Sequence, residues 1–215
     1  MSKTIKFRYL SEYLALKKLV NSTEFKEYLA KHGINEKIQK PPTEKQIAHK
    51  VKFGLVSKFT SQIREVLAIG IKPSKAVTYI NLAVKMYLKD AVAGEYPNLR
   101  IDYSQVLIAN GPYKYLGERH RVVLSLSGLG CLSWLWRPVG YPEAEDLSLY
   151  LLIYNATAKT IVYKGVVGLI TDAKAAFTIT PFEKTDKLQA WVFGLGTKGR
   201  QVSESEYISN IGILD

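Results

Sequence analysis

The sequence predicts an α+β fold, with a basic helical region over residues 1–98 that contains a helical hairpin and an antiparallel β domain over residues 99–215. Three observations carry this expectation. Apolar residues recur at helical spacing as far as Ala91, the period shortens to two after Gly94, and the positive charge gathers in the first part. Of the net +11, residues 1–98 hold 18 Lys or Arg against 8 Asp or Glu, which is +10, and residues 99–215 hold 12 against 11, which is +1.

Residues 5–40 read as a helical arm or a pair of short helices. Asn21-Ser22-Thr23-Glu24 supplies a cap followed by an acid, Phe25, Tyr28 and Leu29 share a face, and Gly33 marks a stop. After Pro41-Pro42, Thr43 and Gln46 form a capping box, in which each side chain satisfies a backbone donor of the other residue. Ile47, Val51, Leu55, Phe59, Ile63 and Leu67 then recur every fourth residue, with Val56, Val66 and Gly70 widening the stripe, which predicts an amphipathic helix. Pro73 is expected to end it and Ser74 to cap the next helix, whose stripe runs through Val77, Ile80, Val84, Tyr87 and Leu88 to a stop at Gly94. The short linker predicts an antiparallel helical hairpin.

Beyond Gly94 the apolar residues alternate. Leu99, Ile101 and Tyr103, then Val106 and Ile108, predict strand as far as the turn Asn110-Gly111-Pro112. Val122 to Leu126 and Leu132 to Trp136 predict a hairpin around Ser127-Gly128-Leu129-Gly130, and Leu147 to Tyr154 predicts a buried strand that turns at Asn155-Ala156-Thr157-Ala158. Further strands are expected at Thr160–Tyr163, Ala175–Thr180, Leu188–Phe193 and Tyr207–Ile213. So many short strands, with turns at roughly ten-residue spacing, match a sandwich of the immunoglobulin or fibronectin III kind. No cysteine pair exists to bridge its sheets, because Cys131 stands alone, so Trp134, Trp136 or Trp191 must fill the core by packing.

Chemistry is sparse. Gly194-Leu195-Gly196-Thr197-Lys198-Gly199 fits the spacing of a phosphate-cradling loop, but a strand is expected after it where a helix N-terminus is needed, so it reads as a hairpin turn. His32, His49 and His120 have no partner at metal-ligand spacing and read as surface or partly packed residues, and Cys131, beside Leu132 in an apolar strand, reads as an inert thiol. Glu143, Glu145 and Asp146 share one proline-flanked loop, and Asn155-Ala156-Thr157, a glycosylation sequon, reads as turn residues. No catalytic residue, cofactor or metal is expected. The N-terminal stretch has no apolar run of signal-peptide or membrane-spanning length, which predicts a cytoplasmic or virion-associated protein.

Two stretches carry a family resemblance: Lys50-Val51-Lys52-Phe53-Gly54-Leu55-Val56-Ser57-Lys58-Phe59 and Gly94-Glu95-Tyr96-Pro97-Asn98-Leu99-Arg100-Ile101-Asp102-Tyr103. With Leu151-Leu152-Ile153-Tyr154-Asn155 and Val202-Ser203-Glu204-Ser205-Glu206-Tyr207, they resemble the Bacteroidota domain-of-unknown-function family 6266 from about Pro41 to the C-terminus. The resemblance implies a helix-then-sandwich architecture and a bacterial or bacteriophage origin, and it transfers no catalytic residue. The function expected is a non-enzymatic structural or adaptor subunit acting by protein–protein interaction or self-assembly, in a phage-like virion or another large assembly. The alternatives are a nucleic-acid-binding protein and a hydrolase with a site around Arg119, His120, Glu143 and Asp146. Lys37, Lys40, Lys45, Lys50, Lys52 and Lys58 are the residues expected to meet a nucleic acid or an acidic protein.

Overall fold

The structure is a computed structural model and describes residues 22–31, 41–73, 76–112, 118–135, 147–196 and 201–214. The chain divides into two compact units, residues 1–50 and residues 51–215. The change of period near residue 98 marks where helices give way to strands, whereas the contacts divide the chain between Lys50 and Val51.

In the first unit, α1 (Thr23–Lys31) opens where the Ser22 hydroxyl accepts the Phe25 N–H at 3.4 Å. The next helix, α2 (Glu44–Gln62), starts on the expected capping box. The Thr43 N–H donates to Gln46 Oε1 at 2.8 Å and the Gln46 N–H to Thr43 Oγ1 at 3.3 Å.

In the second unit, α2 buries Val56, Phe59 and Thr60, and the chain breaks helix at Ile63 before α3 (Arg64–Gly70). One turn earlier the Thr60 hydroxyl donates to the Val56 carbonyl at 2.7 Å, a back-bond that bends helices. The predicted stripe holds from Leu55 onward and fails before it. Ile47 and Val51 are exposed, and the buried set is Val56, Phe59, Ile63, Val66, Leu67 and Gly70. Four residues turn about 400°, so such a row drifts by about 40° a step and leaves one face within a few steps. Gly54 lies on the open side of α2, where an added β-carbon would meet nothing within 4 Å. Gly54→Ala should therefore stabilise the protein by about 0.5–1 kcal/mol, read as a higher urea midpoint at unchanged m.

The last helix, α4 (Tyr79–Asp90), is capped by Thr78, whose hydroxyl accepts the Asn81 N–H at 3.3 Å, while Ser74 lies outside the described residues. Two short strands follow, β1 (Val92–Ala93) and β2 (Arg100–Ile101), paired antiparallel. The strand expected over 99–108 is otherwise replaced. Asp102 caps a 3₁₀ turn at Tyr103–Gln105, and the chain then threads inward as an irregular segment. Its polar groups are met from distant residues. Ser205 Oγ accepts the N–H groups of Ile108 and Ala109 at 2.9 and 3.2 Å, and the Asn110 N–H reaches the Gly70 carbonyl at 3.1 Å.

Two four-stranded sheets complete the unit. One has the order β10-β3-β4-β7, from Ile211–Leu214, Glu118–Ser125, Leu129–Leu135 and Lys174–Thr178. The other has the order β6-β5-β8-β9, from Thr160–Leu169, Leu147–Asn155, Leu188–Gly196 and Glu206–Ile208. All pairs are antiparallel except β10 with β3, which corrects the expectation of a wholly antiparallel domain. The strand expected over Tyr207–Ile213 is two strands because the chain changes sheet between β9 and β10, where the Asn210 carbonyl accepts the Val122 N–H at 3.0 Å.

Strand β5 is buried along nearly its whole length, since both of its faces are covered. On one face, Tyr154 lies in register near Leu152 and its partner Trp191, and that face meets the helices. The Phe59 ring stands 5.4 Å from Tyr154, 5.6 Å from Tyr103 and 5.9 Å from Tyr87. Leu149, Leu151, Ile153 and Val192 belong to the same buried cluster, which continues into Val122, Leu124, Leu132 and Trp134 of the other sheet. Trp134 and Trp191 thus take the core-filling role expected of tryptophan, and Trp136 lies outside the described residues.

Burial also sets an alkaline limit. It pushes the Tyr154 phenol up to about 12 and the Tyr87 phenol higher still. Folded protein keeps these protons at a pH where the unfolded chain has lost them. Their contribution is complete below the ordinary phenol value of about 10 and is lost as pH rises through the folded values. The urea midpoint should accordingly fall above about pH 10, and Tyr154→Phe should flatten that fall.

Candidate functional site

Residues of α2 and α4 flank an open groove of about 620 Å³. Helix α2 contributes Phe53, Ser57 and Ser61, one turn apart and therefore on one face. Helix α4 contributes Ile80, Val84 and Leu88, again one turn apart, whose inner sides pack on the core and whose outer sides are left to the groove. Beyond one end, Arg64 Nε donates to Tyr79 Oη at 3.3 Å and ties the region after α2 to the start of α4. Phe53 is 48% exposed, which for an aromatic ring leaves a large apolar surface without a covering neighbour.

The charge around this groove has one sign. Lys85 and Lys89 line it from successive turns of α4, and no Asp or Glu is among the described residues that line it. Lys89 stands 3.7 Å from Asp90, but both side chains are largely in water, so that pair neutralises little. Glu65, the nearest acid in sequence to the end of α2, is paired with Lys164, which holds its carboxyl below the usual range.

Of the lysines singled out from the sequence, Lys45, Lys50, Lys52 and Lys58 stand on α2. Lys45 and Lys52, seven residues apart, fall within about 20° of each other round the helix, whereas Lys50 stands about 140° from Lys45 and Lys58 about 120° from Lys52. Lys37 and Lys40 lie outside the described residues. Of the residues suggested for hydrolysis, Glu143 and Asp146 also lie outside them. His120 is the partly packed kind of histidine: its side chain is 6% exposed and its Nε2 stands 3.2 Å from Glu206 Oε2, too poorly aligned for a hydrogen bond. The strand parity that points Val122 and Leu124 inward does the same for His120, and that signal was available in the sequence.

The remaining motifs are structural. Cys131 is half-buried on β4. Asn155 is 3% exposed, with Nδ2 donating to Asp186 at 2.6 Å and Oδ1 accepting from Thr157 and Ala158, so the sequon serves a turn. The arms of the glycine-rich loop pair antiparallel, with the Gly196 N–H on the Gln201 carbonyl at 2.8 Å and no helix among the described residues after it. A polar recess of about 270 Å³ holds Asp102 and Tyr207, but Asp102 is occupied in capping Ser104 and Tyr207 donates to Gln189. Among the described residues, no three His, Cys, Asp or Glu are grouped to hold a metal, and no helix is long and apolar enough to cross a membrane.

The profile described as Family of unknown function (DUF6266) matches residues 18–209, and the chain belongs to that family. The match begins well upstream of Pro41, so the family extends into the helical arm. No curated protein and no solved structure matches the chain.

Proposed function

We propose that the protein is a non-enzymatic structural or adaptor subunit that works by holding a protein partner. The observation that carries this reading is the open groove between α2 and α4, because exposed apolar side chains gain free energy only when something covers them. A stable platform suits such a role. In this reading the two sheets form a sandwich of the immunoglobulin/fibronectin III kind. Strands β3, β4 and β7 correspond to A, B and E, and β5, β6, β8 and β9 to C, C′, F and G, with β10 returning beside A. Its setting is a large assembly, such as a phage-like particle in a Bacteroidota host, in which the sandwich supplies shape and the helices supply the grip.

Nucleic acid is the competing partner, and it needs cations converging on one track. Among the described lysines of α2 only Lys45 and Lys52 fall on one face, and two cations are too few for such a track. Capture of the full chain with its native partner, followed by lysine crosslinking and mass spectrometry, tests the reading. Crosslinks from a protein to Lys85 and Lys89 are expected, and a complex held by nuclease-sensitive nucleic acid, or crosslinked only elsewhere, would overturn it.

A further inference from the structure

We infer that the groove takes an acidic amphipathic helix from the partner, seated with its apolar side against Phe53, Ile80, Val84 and Leu88 and its carboxylates toward Lys85 and Lys89. This rests on the adaptor reading and adds the chemistry of what is held. Length argues for a helix. The face from Phe53 to Ser61 spans eight residues, about 12 Å, or just over two helical turns, which suits anchors at i, i+3 or i+4, and i+7. Charge argues for acid. The cations stand on the α4 side of an apolar trough with no carboxylate among the described residues that line it, so a basic or neutral helix would leave Lys85 and Lys89 facing no opposite charge. The apolar walls argue against a nucleic-acid strand, whose phosphates need cations along the path and whose bases need stacking rings, because Phe53 is the sole aromatic among the described residues that line the groove.

The test uses the full-length protein and a fluorescein-labelled sixteen-residue helical peptide with Leu and Phe on one face and Glu on the others. Controls are the same peptide with Lys for Glu and a single-stranded oligonucleotide. Anisotropy should show binding of the acidic peptide only. Phe53→Ala should weaken it about thirtyfold, as expected for a central aromatic anchor, and Lys85→Glu with Lys89→Glu should weaken it about tenfold and admit the basic peptide. All three positions face solvent, so unchanged circular dichroism and melting temperature are expected to separate lost binding from lost fold. Equal binding of both peptides, binding of the oligonucleotide alone, or no effect of the charge reversal would overturn the inference. Failure of the acidic peptide to bind would overturn it too, and if Phe53→Ala still abolished the partner crosslinks at Lys85 and Lys89, the adaptor reading would stand without it.

Discussion

Phe59→Ala should destabilise the protein by about 3–5 kcal/mol, the usual cost of deleting a buried aromatic ring from a core. The ring is 4% exposed and touches three tyrosines from three different parts of the second unit: Tyr87 on α4, Tyr103 in the 3₁₀ turn and Tyr154 on β5. Each of those rings loses an aromatic neighbour, and the cavity opens where helices meet sheet, which neither layer can close alone. For a chain of this size the melting temperature should drop by about 10 °C. The form of the transition matters more than its midpoint. Far-ultraviolet dichroism, which follows the helices, and tryptophan fluorescence, which follows the sheets through Trp134 and Trp191, should still lose their signals together.

Gly70→Ala should cost about 3 kcal/mol through the opposite fault, an excess of matter. A β-carbon at Gly70 would overlap the Ile108 carbonyl oxygen and crowd Ala109, and backbone cannot step aside as a flexible side chain can. The same stretch is fixed on its other side by Ser205 Oγ, so the end of α3 would have to retreat and release the Asn110 bond to the Gly70 carbonyl. Alanine normally favours a helix over glycine, as Gly54→Ala is expected to show, so opposite signs at two helical glycines would locate the close approach at Gly70. Urea denaturation of the two variants side by side provides the comparison.

The parts of the fold that were legible in the sequence are those whose causes are local. The Thr43–Gln46 capping box, the β3–β4 hairpin, the long buried run of β5 and the Asn155 turn each depend on residues a few positions apart. The segment 102–111 was misread as strand because its hydrogen-bond partners, Ser205 and Gly70, are remote, and alternation alone does not reveal them. The change of sheet between β9 and β10 has the same origin: Val122, nearly ninety residues earlier, decides where the last strand pairs. The break at Ile63 went unseen because neither proline nor glycine marks it. The groove was half legible. Lys85 and Lys89 stand one turn apart on a helix foreseen from its stripe, but Phe53 fell outside the every-fourth row, and its exposure depends on where α2 meets the core.

The account depends on α2 from Val51 onward, α3, α4 and both sheets forming one cooperative body, for only then is the groove a rigid receptor. Native-state hydrogen exchange measures this directly. Amides of α4, β5 and β8 should exchange with the same free energy, equal to that of global unfolding, and respond identically to denaturant. Helical amides that open at a distinctly lower free energy, with the sheets still protected, would contradict it.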